Sequence, residues 1–192
     1  MNKLKSFVAL IAMVSMPLIL NGCAGAKGHT KSDKISSIHK MRRTDIAELY
    51  KLVPSAKGHV MGAYGYAVFD NKGIHLLMVS TGQGYGVAHN NKTGKDTYMK
   101  MFSAGVGVGL GIKDFRGVFV FDSKTVFDRF VEQGWSVEGQ ADAAAKYKEK
   151  GLAAALAIEV APGIHLYQMT ESGIAAQATI QGTKYWKDDE LN

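Results

Sequence analysis

The residues of this chain that could do chemistry are few and scattered. The single cysteine, Cys23, excludes a disulfide framework and any zinc site built on several thiolates. The six histidines stand at 29, 39, 59, 75, 89 and 165, and no two have the three-to-five-residue spacing that puts two ligands on one helical face. Spacing along the chain therefore offers no metal site. Gly105, Gly107, Gly109 and Gly111 alternate through Ala104 to Ile112, but a dinucleotide loop needs a glycine five positions after its first, where Gly105 meets Leu110 and Gly107 meets Ile112. No serine has the G-x-S-x-G frame of a nucleophile elbow, since Met101 stands where Ser103 would need a glycine. The acidic run Asp188-Asp189-Glu190 reads as a solvated terminus, whereas a glycosidase needs carboxylates held rigidly apart. No cofactor, metal or enzymatic reaction is expected from these residues.

Cys23 is the exception, because its context is chemical. Met1 to Lys5 carries two lysines, and Phe7 to Leu20 is a run of 14 mostly apolar residues broken by Ser15 and Pro17. A bilayer crossing takes about 20 apolar residues, so the run matches the central region of a secretory signal peptide better than a membrane helix. Leu20-Asn21-Gly22-Cys23 follows directly and resembles the lipobox of bacterial lipoproteins. That resemblance implies that residues 1–22 are a leader cleaved on export, and that the Cys23 thiol takes a diacylglycerol before its freed amine is acylated. Residues 23–31, small and polar with Gly25 and Gly28, then read as a lipidated flexible tether. Two acyl chains suffice for stable anchoring, each buried CH₂ contributing about 0.8 kcal/mol. Ala24 stands where enteric lipoproteins retained in the inner membrane usually carry Asp, which favours the periplasmic face of the outer membrane.

The remainder has the composition of a globular domain. Of the 192 residues 46% are apolar and 21% charged, which excludes a disordered tail protein or a collagen-like repeat. Residues 32–192 are long enough to bury one core unaided and are read as a single domain. Charge is uneven: residues 24–57 hold eight basic and three acidic side chains, while residues 58–192 hold 13 basic and 14 acidic. The positive excess lies beside the anchor.

The elements that carry these charges follow from periodicity. From an N-cap at Ser32 or Asp33, Ile35, Ile38, Ile46, Leu49, Tyr50 and Val53 recur mostly at helical spacing until Pro54 ends the helix. Lys40, Arg42, Arg43 and Lys51 fall largely on its polar side. Two readings stay open, a basic amphipathic helix that meets anionic lipid and a core-packed helix with a solvated charged face. Beyond Pro54 the period changes to that of strands, expected over 59–69, 73–80, 82–89 and 95–101, with turns at Asp70–Gly73 and Asn90–Gly94. Ala104–Ile112 is expected as a strand with one face of glycine, and Phe115–Phe121 as another. Ser123 caps a helix whose Val126, Phe127, Phe130 and Val131 form an apolar stripe, and Gly134 stops it. Residues 141–146 favour helix by propensity, with a loop of one helical turn as the alternative, and three further strands are expected over 152–160, 163–169 and 174–180. The class is α+β: a mainly antiparallel, Gly-rich sheet, an N-terminal amphipathic helix and one or two further helices.

Several segments together resemble the SYLF-domain family, the lipid-binding domain of yeast and animal actin-patch regulators. They are Leu49-Tyr50-Lys51-Leu52-Val53-Pro54-Ser55-Ala56, Tyr64-Gly65-Tyr66-Ala67-Val68-Phe69, Gly109 to Val118, Phe127 to Trp135, Gln140 to Ala144 and Tyr167 to Gly182. Their order and spacing span roughly 45 to 192, and the lipobox points to a bacterial lipoprotein branch. The resemblance implies a non-enzymatic domain that binds phospholipid headgroups, partly through a basic amphipathic segment at its amino-terminal end. Carried over residue by residue, the headgroup contacts are Lys40, Arg42, Arg43 and Lys51. Eukaryotic members usually have Pro after the Ala-Val-Phe run, where this chain has Asp70. Fold and lipid affinity are carried over; actin regulation and phosphoinositide specificity are not.

The sequence therefore leads to an envelope lipoprotein whose acylated Cys23 meets the membrane and whose basic helix meets anionic phospholipid. The alternative is a structural or protein-interaction lipoprotein of the envelope. Neither reading names a protein partner, and neither involves nucleic acid.

Overall fold

The structure, a computed structural model, describes residues 26–76, 79–106, 111–137, 157–170, 173–174 and 183–192. The leader, Cys23, the helix expected over 141–146 and most of the strand expected over 174–180 lie outside the described residues. The fold is α+β, with three helices on a nine-stranded antiparallel sheet among the described residues.

Helix α1 spans Lys31–Leu52. Its cap is Thr30 rather than Ser32 or Asp33, because Thr30-x-x-Asp33 closes a capping box: Thr30 Oγ1 accepts the Asp33 N–H at 3.1 Å and Asp33 Oδ2 accepts the Thr30 N–H at 3.1 Å. It ends where Pro54 requires, with the Val53 N–H donating to the Leu49 carbonyl. Ile38, Met41, Asp45 and Leu49 form its buried stripe, which lies across the strands described next.

A strand does not begin at His59. Residues Ala56–Gly62 form α2, and β1 begins only at Gly65. Ala56, Val60 and Ala63 recur at helical spacing and all three are buried, a pattern that Gly58 and Gly62 hide from a reading by propensity. Nor does Asp70–Gly73 turn. Strand β1 runs Gly65–Leu76 without a break, flanked by β2 (Val79–Asn90) and β4 (Gly111–Phe121), so both of its edges are occupied by ladders through those residues. The Asn90–Gly94 turn is present, followed by β3 (Asp96–Val106). The alternating glycines do not form one strand either: β3 ends at Val106, β4 starts at Gly111, and the two are separated in the sheet by β2 and β1.

Helix α3 (Lys124–Gln133) has the expected cap, Ser123 Oγ accepting the Val126 N–H at 3.4 Å, and Gly134 stops it at φ 73°, a conformation that favours glycine. Short strands β5 (Trp135–Val137), β6 (Ile158–Ala161), β7 (Ile164–Thr170), β8 (Gly173–Ile174) and β9 (Thr183–Lys187) complete the sheet. Its order is β5-β9-β3-β2-β1-β4-β7-β6, with β8 beside β7.

Alternation along β1 and β4 divides the core between the two faces. Ala67, Phe69, Phe119 and Phe121 join Phe127, Phe130, Val131 and Tyr185 in an aromatic cluster under α3. Val68, Val118 and Val120 join Ile38, Leu49, Val53 and Val60 under α1 and α2. Gly86, opposite Phe69 in the β1–β2 register, lets these layers close, since a Cβ there would strike the Val68 carbonyl oxygen and the Phe69 ring. Among the described residues no helix is long and apolar enough to cross a membrane.

Residues 188–192 are not a free end. The Asp188 N–H donates to the Tyr98 carbonyl at 2.9 Å, and its buried carboxylate meets Lys100 Nζ at 2.9 Å. Asn192 exchanges side-chain hydrogen bonds with the Tyr98 backbone, and Glu190 pairs with Lys34 of α1. The run expected as a solvated terminus is a backbone clasp, with Asp189 and Glu190 exposed.

Candidate functional site

Helix α1 sorts its basic residues by face. At 3.6 residues per turn, Lys40, Arg43 and Lys51 fall within an arc of about 80° on the side opposite the buried stripe. All three are exposed, and none has an ion-pair partner among the described residues. Lys40 and Lys51 stand roughly 16 Å apart along the axis at 1.5 Å per residue. Helix α2 continues the pattern, burying Ala56 and Val60 while Lys57 and Met61, one turn apart, face out. Met61 is 65% exposed and Leu52, at the end of α1, 40%. The accessible surface of this helical corner thus mixes unpaired cations with apolar side chains.

Arg42 does not belong to that surface. Its Nη1 donates to Asp96 Oδ1 at 2.7 Å, and both side chains are more than four-fifths buried. His89 Nδ1 reaches the same oxygen at 2.6 Å. His39 contributes a T-shaped contact with Tyr98, whose hydroxyl lies 3.0 Å from His39 Nε2. Burial, aided by Arg42, holds the His39 ring below the usual histidine range. Of the four carried-over residues the structure keeps Lys40, Arg43 and Lys51 together and assigns Arg42 to the joint between α1 and the β2–β3 hairpin.

A second polar joint lies further along α1. Arg116 of β4 forks onto Glu48, with Nη2 to Oε1 at 3.1 Å and Nη1 to Oε2, and approaches Asp45 Oδ1 at 3.8 Å. Asp45 is 3% exposed, and its Oδ2 has no hydrogen-bond partner among the described residues. Burial first, and the neighbouring Asp70 carboxylate second, push its pKa up to about 7 against the pull of Arg116.

Two further features lie outside these joints. A cleft of about 430 Å³ opens between α1, the sheet and the C-terminal clasp, lined by Lys34, Tyr85, Lys100, Phe102, Trp186 and Asp188. His59, Asp122 and His165 converge from α2, the end of β4 and β7, each offering a ligand atom within 4.8 Å of the others. Local histidine spacing carries no sign of such a cluster. Its members lie 63, 43 and 106 positions apart in the chain, and tertiary structure alone brings them together. Asp96 was missed for the same reason.

No profile of a known protein family matches the chain. Beta cell expansion factor A of Aeromonas veronii is 44% identical over 155 residues, which cover 81% of this chain. The chain spans 58% of the length of that curated relative.

Proposed function

We propose that this chain is a non-enzymatic, SYLF-like lipoprotein of the bacterial envelope that docks on phospholipid surfaces through the exposed basic face of α1. The observation that carries the reading is the shared exposure of Lys40, Arg43 and Lys51 opposite a buried stripe, with no ion-pair partner among the described residues. Each Lys or Arg near an anionic surface contributes about 1 kcal/mol before screening, so three on one face amount to about 3 kcal/mol. Lys57, Met61 and Leu52 extend the surface and supply apolar side chains that can enter the headgroup layer.

The acyl anchor on Cys23 completes the arrangement. Six residues lie between Cys23 and the Thr30 cap, seven chain steps with a reach of at most roughly 25 Å when fully extended. Helix α1 is therefore held near the leaflet that carries the lipid, and its charges orient the domain there. Anchoring is the acyl chains' work.

Two experiments test the two halves. Cys23→Ser should shift the protein from the membrane fraction to a soluble or unprocessed form; unchanged fractionation, with an unmodified Cys23 in mass spectrometry, removes the lipoprotein assignment. Residues 24–192, freed of the anchor, should sediment with vesicles containing anionic phospholipid at low salt and be released as salt rises, since exposed charges are screened over about 10 Å at 0.1 M. Equal binding to neutral vesicles would replace the electrostatic account with apolar insertion.

The cleft beside Lys34 and Lys100 favours a second reading, a protein-interaction lipoprotein, because Phe102 at its rim is 38% exposed. Capture of a defined envelope protein that Phe102→Ala abolishes, without vesicle binding, would select it.

A further inference from the structure

Where α2 meets the β4–β7 end of the sheet, three side chains of metal-binding type face one another. His165 Nε2 lies 3.1 Å from Asp122 Oδ2, and the His59 and His165 rings stand 5.1 Å apart between centroids in an edge-on arrangement. We propose that His59, Asp122 and His165 form a site for one divalent transition-metal ion, zinc above all. The site lies apart from the basic face of α1, and the inference is independent of the proposed lipid binding.

The donor set selects the class of ion. Two imidazole nitrogens and one carboxylate suit zinc, cobalt, nickel or copper, whereas calcium and magnesium are held by oxygen ligands. Tetrahedral zinc with bonds near 2.1 Å places its ligand atoms roughly 3.4 Å apart. The Asp122–His165 pair is already at 3.1 Å, so closure from the present limit of 4.8 Å asks only for side-chain adjustment at His59. Three protein ligands leave a fourth position, and Asp122, with a side chain 52% exposed, stands on the solvent side where water can fill it.

The supporting contacts are those a metal site needs. His59 Nδ1 and the Tyr167 hydroxyl are 2.8 Å apart. With the proton on Nδ1 donated to that hydroxyl, Nε2 presents its lone pair to an ion. Tyr167 lies two residues after His165 on β7 and faces the same side of the sheet, so one strand supplies both a ligand and the support of another. The Asp122 N–H donates to the Gly163 carbonyl at 3.1 Å, and His165 sits opposite Val120 in the β4–β7 ladder, so two of the three ligands are fixed by backbone.

Electrostatics distinguishes this cluster from the one around Asp96, which also combines histidine with a carboxylate among the described residues. Asp96, beside His39 and His89, is already neutralised by the Arg42 guanidinium, which repels a cation. No basic side chain pairs with Asp122 among the described residues; its ionic partner is His165, which is charged only when protonated. A bound ion would tie α2, seven residues long, to the sheet.

The test uses the full chain, untagged, purified in detergent and stripped of metal. Zinc titration should give one equivalent per chain with micromolar or tighter affinity. His59→Gln and His165→Gln should each weaken it at least tenfold, Tyr167→Phe about tenfold, and His29→Gln and His89→Gln should leave it unchanged. Cobalt(II) added to the wild type should give the intense visible absorption of a four-coordinate site, a readout that needs no variant to fold. Absence of stoichiometric zinc at micromolar concentration, loss in His89→Gln instead of His165→Gln, a weak six-coordinate cobalt spectrum, or equal affinity for calcium would each overturn the proposal.

Discussion

Arg42 of α1 donates to Asp96 at the start of β3 across 2.7 Å, in a pocket where both side chains are more than four-fifths buried. A cation two residues from exposed Lys40 thereby serves the fold and not the surface. Removing one partner of such a pair leaves the other charge desolvated, which costs more than the pair contributes. Arg42→Gln should therefore lower stability by about 1 to 3 kcal/mol in urea denaturation, with His89 retaining part of the interaction with Asp96. Its vesicle binding, measured well below its melting temperature, should stay close to wild type.

Asp45 gives the molecule a pH dependence of definite sign. Its folded carboxyl titrates at about 7, above the ordinary value of 3.8, so between those limits the folded state holds a proton the unfolded state has released. This contribution to stability is complete below pH 4, falls as pH rises, and is gone above 7. Asp45→Asn removes the titration. It should be more stable than wild type by roughly 1 to 2 kcal/mol at pH 8, less than the full 1.4 kcal/mol per unit because the amide too lacks a partner for part of its hydrogen-bonding capacity. The advantage should vanish toward pH 4; a constant difference across that range would show that Asp45 is ionised throughout.

Packing under α3 is tested at two places. Phe130 is 1% exposed and touches the rings of Phe119, Phe121 and Tyr185, so Phe130→Ala should cost about 3 to 5 kcal/mol. Gly86→Ala adds one methyl where the Val68 carbonyl oxygen and the Phe69 ring already stand, and should cost about 1 to 3 kcal/mol or more. Calorimetric melting of both variants checks the pair; an unchanged Gly86→Ala would mean that β1 and β2 separate more easily than their ladder implies.

What could be read from the chain alone follows a physical division. Helix α1 and helix α3 were legible because their signals are local: apolar spacing, Ser123 and Gly134 as caps, Pro54 as a stop. The expected turn at Asp70–Gly73 failed because turn residues were outweighed by two ladders, supplied by β2 and β4 from distant sequence. Strand β9 was missed because Tyr185 looks like any aromatic near a charged terminus until Phe69 and Phe119 surround it. The basic residues of α1 were legible as a group, yet their sorting was not, since Asp96, which claims Arg42, lies 54 positions away. The His59–Asp122–His165 cluster left no local trace.

The proposed membrane contact is one face of one helix, α1. The most direct measurement is sedimentation of residues 24–192 with anionic vesicles at low salt, comparing wild type with the triple variant Lys40→Gln, Arg43→Gln, Lys51→Gln. These side chains are exposed and unpaired among the described residues, so the variant should melt as wild type does. Removing about 3 kcal/mol of attraction before screening should weaken binding at least tenfold and flatten its salt dependence. A triple variant that binds as tightly as wild type, with the same release by salt, would contradict the account and move the headgroup contact off α1.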